Sequence, residues 1–193
     1  MHLKHRFFVL GSLCLSLSVQ ASLVQKMGTN ALTSQSAMIQ IGEVRRSWSS
    51  YDPEKRMVYT YVKMVVEETL KGTPQKEILL RQPGGQAGGV TMKVHGVAQF
   101  KPGEKALVFA QIDADGAPTV TGLAQGKYRI YKDPKTGLDM ASFKAPKNLE
   151  FASVGMPQQK FQMLNPSEAN RELLLTDLVK EIKIAIEAQK GKK

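Results

Sequence analysis

The chain has 193 residues and a formal net charge of +10, from 27 lysine and arginine residues against 17 aspartate and glutamate residues. It contains one cysteine, which excludes an intramolecular disulfide and any metal site built from several cysteines. The length suffices for one domain with its own hydrophobic core and does not require two.

The N-terminus follows the three-part pattern of a secretory signal peptide. A short basic segment ends at Arg6, an apolar run extends from Phe7 to Val19, and Val19-Gln20-Ala21 is a small-residue cleavage signal. The apolar run is too short to anchor the chain across a bilayer. The alternative interpretation is a buried N-terminal helix. We predict a signal peptide over residues 1–21, cleavage near Ala21, and a periplasmic or extracellular protein with no stable membrane span.

The predicted mature chain is basic and poor in metal ligands. Without Lys4 and Arg6 it keeps 25 basic residues against the same 17 acidic ones, a net charge of +8. It has no cysteine, and His95 is its one histidine, so thiol catalysis and a multi-histidine metal site are excluded. Its charge favours contact with anionic surfaces, and it is equally the ordinary charge of a soluble exported protein.

The patterns after the leader predict a mainly β chain. Residues 23–27 fit a short strand or a simple leader, and residues 28–35 fit a helical turn. The strongest pattern is the alternation over residues 57–70, which is long for a strand, as in small closed barrels. Gly42 inside the first long run predicts a bulge or a close backbone approach. The predicted strands are residues 37–44, 57–70, 77–81, 90–94, 106–110, 119–121, 127–131 and 138–143.

The last segment changes to a helical period. Ser167 is the predicted cap, and the positively charged C-terminus suits a helix end. Packing on the core is the first interpretation of this helix, and binding to a membrane surface is the alternative. We predict a small OB-like β-barrel over residues 22–145, an irregular connection over 146–165, and a C-terminal amphipathic α-helix over 166–193. The apolar face of that helix consists of Leu174, Leu175, Leu178, Ile182, Ala185 and Ile186.

The stretch from Arg81 to Gly89 is the richest in glycine, with four glycines in six residues: Gly84, Gly85, Gly88 and Gly89. A phosphate-binding loop would be followed directly by a helix, whereas Val90 begins another extended run. We therefore predict a flexible or tightly turned connection that exposes backbone amides to a partner.

Three short patterns resemble catalytic or metal sites without completing one. Asp113-Ala114-Asp115-Gly116 lacks the later ligands of a calcium loop and predicts a turn. Glu67 and Glu68 are consecutive on a strand, so their side chains point to opposite faces. His95 has no nucleophile motif beside it. No catalytic residue, no metal ligand and no cofactor is predicted.

Two strand faces combine aromatic and cationic side chains. Such faces can stack bases or sugars and hold phosphates, although tyrosine and lysine are also common on any exposed strand. The two sets are Tyr59, Tyr61 and Lys63 on one strand, and Lys127, Arg129 and Tyr131 on a later one.

The order of several motifs resembles a family of exported bacterial proteins without an assigned activity. The resemblance covers roughly residues 23–131. It is carried by residues 37–44, 60–72 and 100–109, by Arg81-Gln82-Pro83-Gly84-Gly85, and by Gly122-Leu123-Ala124-Gln125-Gly126-Lys127-Tyr128-Arg129.

Leu70-Lys71-Gly72 and Leu107-Val108-Phe109 are also similar, more distantly, to netrin-type modules and tissue inhibitors of metalloproteinases. That resemblance implies an OB-like barrel with packed helices that is used for binding. Those inhibitors place a disulfide-anchored N-terminal cysteine on the protease zinc. The mature chain has no cysteine, so this mechanism is not carried over.

We expect an exported, non-enzymatic binding or accessory module whose partner is another exported protein, with a protease as one candidate. The alternative is a binder of an anionic envelope polymer or other polyanion through the basic and aromatic strand faces. A hydrolase is the third hypothesis. The surfaces expected to bind are the four glycines and the two aromatic and cationic strand faces.

Overall fold

The computed structural model describes residues 22–146, 149–153, 162–164 and 169–191. Within these ranges the chain is mainly β, with a C-terminal α-helix, as the sequence predicts. The predicted signal peptide lies outside the described residues. No helix in the described ranges has both the length and the apolar character needed to cross a membrane.

The elements have the following bounds. Helix α1 spans Thr29–Gln35, helix α2 spans Leu175–Lys190, and a short 3-10 helix spans Leu123–Gly126. The strands are β1 (Ser22–Gln25), β2 (Met38–Asp52), β3 (Met57–Lys71), β4 (Glu77–Pro83), β5 (Gly85–Ala87), β6 (Val90–Met92), β7 (Lys105–Ile112), β8 (Pro118–Val120), β9 (Lys127–Lys132), β10 (Asp139–Phe143), β11 (Leu149–Ser153), β12 (Gln162–Leu164) and β13 (Arg171–Leu174).

One large sheet organises the described chain. Its strands follow the order β13-β10-β9-β7-β2-β3-β4, and β8 pairs with β7 beside this path. The contacts β2–β3, β3–β4, β2–β7 and β7–β9 are all antiparallel. Two smaller sheets, β1-β11-β12 and the hairpin β5-β6, complete the architecture.

Backbone pairing does not close the sheet into the predicted barrel. Strands β2, β3, β4, β8 and β7 form a circuit in which four neighbouring pairs share a backbone ladder. Strands β4 and β8 lie side by side, but no ladder joins them in the described part of the chain. We call this junction the seam.

The structure confirms the bulge that the sequence predicts at Gly42. The register between β2 and β3 shifts between Ile41 and Gly42. A Cβ at Gly42 would collide with the carbonyl oxygen of Val65, so only glycine lets the two backbones approach this closely. The bulge lies within the pairing of the two longest strands, and bulges of this kind increase the local twist.

Helices cover one of the two faces of the sheet. Cross-strand partners share a face, so Arg129, Ala106 and Gly42 lie on one side, and Tyr128 and Leu107 lie on the other. Helices α1 and α2 pack on the Tyr128 side, where Leu32, Leu178 and Ile182 are at most 1% exposed. We call this side the helix face and the Arg129 side the cleft face.

The C-terminal part differs from the prediction. Helix α2 begins at Leu175, because residues 171–174 pair with β10 as strand β13. Their sequence, Arg-Glu-Leu-Leu, favours a helix locally, and tertiary pairing overrides that preference. Strands β11 and β12 lie within the segment 146–165 that was predicted to be irregular. The predicted cap Ser167 lies outside the described residues.

Candidate functional site: two clefts on one face of the sheet

Two neighbouring clefts open on the cleft face and share one wall, residues 97–99. The first has a volume of about 580 Å³ and lies between β3, β4 and the β5–β6 hairpin; we call it the hairpin cleft. The second has a volume of about 570 Å³ and lies along β9 and β10; we call it the cationic cleft. Both volumes are in the range of ligand-binding sites, about 300–1,000 Å³.

The glycine stretch forms the β5–β6 hairpin, so the tightly turned form of the prediction is the one observed. Ala87 pairs with Val90, which leaves Gly88 and Gly89 as a two-residue turn. Both have positive φ, 58° and 76°, as a tight hairpin turn matching the strand twist requires. The space around a Cβ at Gly89 is open, whereas a Cβ at Gly88 would lie 3.6 Å from the Tyr51 side chain.

The root of the hairpin is fixed against the large sheet. Gly84 donates its N–H to the Val58 carbonyl at 2.7 Å and accepts from the Thr60 hydroxyl at 2.7 Å. Ser49 in turn lies 3.0 Å from the Thr60 hydroxyl, which leaves Ser49 as the donor of that bond. Gly85 has φ 132°, and a Cβ there would lie 2.6 Å from the Thr60 hydroxyl. The root therefore holds the hairpin over the cleft.

The shared wall is tied to both clefts by hydrogen bonds to its backbone. The Ala98 carbonyl accepts from the buried side chain of Gln82 at 3.3 Å, and the Gln99 carbonyl accepts from the Lys127 ammonium at 2.7 Å. The Gly96 carbonyl accepts from the Ala124 N–H at 2.7 Å. These bonds place a short irregular segment firmly between the two clefts.

Cations border the cationic cleft, but they differ in their partners. Lys127 forms an ion pair with Glu104 at 2.7 Å, with both side chains mostly buried. Burial lowers the pKa of Lys127, and Glu104 opposes that shift. Arg129 and Lys144 are exposed at the rim, and neither has a carboxylate partner among the described residues. Two cations therefore remain available to a ligand.

Tyr131 and Glu172 occupy another part of the same rim. The Tyr131 hydroxyl donates a hydrogen bond to the Glu172 carboxylate, and this bond raises the pKa of Tyr131. Ser142 pairs across the sheet with both Arg129 and Glu172, so it lies between them. The cleft thus has a positive part and a separate negative part.

The other predicted set, Tyr59, Tyr61 and Lys63, lies on the opposite side of β3, which we call the outer face. Tyr61 stacks on Trp48 with ring centroids 5.6 Å apart, and Arg46 lies 4.8 Å from the centre of the Trp48 ring. Lys63 pairs with Glu77 at 2.7 Å. Arg46, Trp48 and Tyr61 therefore form one stacked cluster on this face, but Lys63 already has Glu77 as its partner.

Tyr59 is less exposed than the pattern suggests. It is 9% exposed, and the Arg81 guanidinium lies 4.6 Å from the centre of its ring. Alternation alone places Tyr59 on the surface, but the neighbouring strand supplies a long side chain that covers it.

Arg81 also bridges the seam between β4 and β8. It pairs with Asp113 at 2.6 Å and with Asp115, which also pairs with Lys55. Asp113 accepts two backbone N–H groups at 2.9 Å, from Asp115 and Ala117, and so shapes the turn. The aspartates resembling a calcium loop therefore form the predicted turn, and their charges are used by neighbouring cations.

A third cavity, about 560 Å³, lies on the helix face. Inside it, Thr29 and Arg171 both bond the Glu181 carboxylate, at 2.7 and 2.6 Å, which joins α1, β13 and α2. The buried amide of Gln125 accepts from the Met27 N–H at 2.8 Å and donates to the Gln25 carbonyl at 3.0 Å. These contacts tie elements together, so we assign the cavity a structural role.

The other residues considered as catalytic or metal-binding candidates, His95, Glu67 and Glu68, are exposed or form a surface ion pair. His95 is exposed at the rim of the hairpin cleft. Glu67 pairs with Lys105 at 2.5 Å, and Glu68 is exposed. No group of three or more histidine, cysteine or acidic residues able to hold a metal ion occurs in the ranges that the structure describes.

The structure thus divides the predicted site residues among four places. Gly84 and Gly85 line the hairpin cleft, Lys127, Arg129 and Tyr131 line the cationic cleft, and Tyr59, Tyr61 and Lys63 lie on the outer face; Gly88 and Gly89 form the hairpin tip. Sequence reasoning missed Lys144, Gln99 and Arg81. The alternation of Ser142 and Lys144 was a usable signal for the first of these.

Comparisons of the chain with protein-family models, with curated proteins and with solved structures find no match.

Proposed function

We propose that the chain is an exported, non-enzymatic binding module that holds an extended segment of another exported protein in the two clefts. The observation that carries this proposal is the arrangement of the clefts themselves. They lie next to each other on one face, share the wall at residues 97–99, and have volumes of about 580 and 570 Å³, each in the range of ligand-binding sites.

The chemistry of the hairpin cleft suits a peptide backbone. Apart from Lys93 and His95, its polar lining consists of neutral hydroxyl and amide groups, including Ser47, Gln82 and Gln86. Such groups can donate to carbonyls and accept from N–H groups without requiring a charged ligand.

The non-enzymatic part of the proposal rests on the absence of a nucleophile motif in the sequence. Export rests on the signal-peptide pattern of residues 1–21.

The second candidate function is binding of an anionic polymer on the outer face. The stack of Arg46, Trp48 and Tyr61 favours it, since stacked aromatic and guanidinium groups can hold sugars or bases. However, the ion pairs of Lys63 and Arg81 reduce the positive charge that a polymer would meet. A salt-dependent retention on heparin that Arg46→Gln and Lys63→Gln leave unchanged would rule this candidate out.

The test of the first candidate is site-specific photo-crosslinking in the producing cell. A photoreactive amino acid replaces Gln99, whose exposed side chain lies between the clefts, and a matched variant carries it at Lys183 on α2, on the helix face. We expect a discrete protein adduct from the Gln99 position and none from the Lys183 position. Equal adducts at both positions, or none at Gln99, would contradict the proposal. A protease as partner would agree with the distant resemblance to metalloproteinase inhibitors.

A further inference from the structure

The cationic cleft has the features of a subsite for a single carboxylate. We infer that it binds the acidic side chain of an aspartate or glutamate in the partner segment, with Arg129 as the main contact. This inference rests on the proposed function, and it adds which chemical group the cleft selects.

The first argument for a carboxylate subsite is that Arg129 is free to bind one. Its guanidinium has no carboxylate partner in the described part of the chain, and it lies 6.0 Å from the centre of the Tyr131 ring. A guanidinium offers a planar fork of donors that matches a carboxylate in a bidentate arrangement. Lys144 adds a second charge on the same rim.

Lys127 is excluded from this role by its own contacts. Its ammonium is held by Glu104 at 2.7 Å and by the Gln99 carbonyl at 2.7 Å. It therefore positions the shared wall, and Arg129 and Lys144 remain for the ligand.

The shared wall and Glu172 limit the ligand to one acidic group. Val97 and Ala98 of the wall, together with Ala124, form a small apolar surface that can pack against the stem of a side chain. Glu172, which accepts the Tyr131 hydroxyl on the same rim, carries its own negative charge, so it would repel a second carboxylate. The cleft consequently suits an isolated acidic residue better than a run of them, which also separates it from a polyanion site.

The test uses isotope-labelled protein of residues 22–193 and capped octapeptides of alanine and serine. One peptide has a central glutamate, its twin has glutamine at the same place, and a third has four consecutive glutamates. We expect the glutamate peptide to bind and to shift the side-chain Nε–H signal of Arg129 in nuclear magnetic resonance spectra. The glutamine twin should bind about tenfold more weakly, the loss of one charge-assisted contact. The peptide with four glutamates should bind no more tightly than the peptide with one.

Substitutions test whether the preference for the glutamate peptide depends on the cationic cleft. Arg129→Gln and Lys144→Gln should each reduce the preference for glutamate, and the double variant should abolish it. Arg46→Gln is the matched control, since Arg46 lies on the outer face. Arg129→Glu should reverse the preference, so that a peptide with a central lysine binds better than the glutamate peptide.

Three outcomes would overturn the inference. These are equal binding of the glutamate and glutamine peptides, a glutamate preference that survives in the double variant, and no binding of the glutamate peptide at concentrations up to about 10 mM. None of these bears on the crosslinking at Gln99. The proposed function and the carboxylate subsite can therefore fail separately.

Discussion

Arg81 and Lys63 on the outer face differ from Arg129 and Lys144 at the rim of the cationic cleft in what surrounds them. Arg81 and Lys63 each have a carboxylate within 2.7 Å. Arg129 and Lys144 have none among the described residues. Nothing in the local sequence distinguishes the two pairs of cations.

The difference separates two uses of the same residue types. A cation that already has a buried or half-buried partner contributes to the fold, because its removal leaves a carboxylate without its counter-charge. A cation at a rim without a partner contributes little to folding and can pair with a ligand. We therefore expect substitution of Arg81 to affect mainly stability, and substitution of Arg129 or Lys144 to affect mainly binding.

The largest effect on stability should come from the root of the hairpin. This root lies on the cleft face, so residues of that face can support the fold as well as binding. Gly85→Ala places a Cβ against the Ser49 and Thr60 hydroxyls at a φ of 132°. We expect a loss of about 3 kcal/mol in the free energy of unfolding, measured by urea denaturation. Gly89→Asn at the open tip is the control and should change it by less than about 0.5 kcal/mol, since asparagine tolerates positive φ.

Removing Arg81 should have the next largest effect. Its side chain is 12% exposed, and Arg81→Leu leaves Asp113 and Asp115 at the seam without their guanidinium and uncovers Tyr59. We expect a loss of about 2 kcal/mol in the free energy of unfolding, below that of a fully buried pair because Asp115 is partly exposed. A loss no greater than that of Lys63→Gln would contradict the distinction between the seam and an ordinary surface pair.

Acid should weaken the seam. Hydrogen bonds from Arg81 and from backbone amides hold the pKa of Asp113 below its ordinary value, although partial burial opposes them; hydrogen bonds from Lys55 and Arg81 lower that of Asp115. Because the folded pKa values lie below the unfolded ones, this stabilisation is complete above about pH 5 and is lost as the pH falls through the lowered values. Thermal unfolding between about pH 6 and pH 3 should show a shallower decline for Arg81→Leu than for the wild type.

The smallest effect on stability should come from the cleft cations. Arg129→Gln and Lys144→Gln should each change the free energy of unfolding by less than about 0.5 kcal/mol, since neither breaks an ion pair among the described residues. Urea denaturation measures this directly. A loss above about 1 kcal/mol for either variant would show that the cation supports the fold, and the comparison between the two faces would lose its basis.

Local signals explain the parts of the fold that the sequence predicts. The alternation over residues 57–70 predicts β3, and the apolar run over 106–110 predicts β7. Gly42 predicts the bulge because only a missing side chain permits that backbone contact. Each of these signals depends on a few neighbouring residues.

Features that depend on distant partners escape sequence reasoning. Residues 171–174 form β13 because β10 offers an edge nearly thirty residues earlier. Arg81 and Asp113 are 32 residues apart, and nothing in either neighbourhood indicates their ion pair. The same holds for the candidate site: alternation places Lys127 and Arg129 on one face, but only the tertiary structure shows that Glu104 pairs with the first.

The seam also affects how separate copies of the chain meet. Strands β4 and β8 each have one edge without a ladder partner in the described chain, and unpaired edges are templates for intermolecular pairing. Arg81, Lys55 and the two aspartates cover that junction with a charged cluster. Charges at a strand edge discourage a neighbouring chain from adding its own strand. The ion pairs at the seam therefore discourage self-association, in addition to stabilising the junction of β4 and β8 within one molecule.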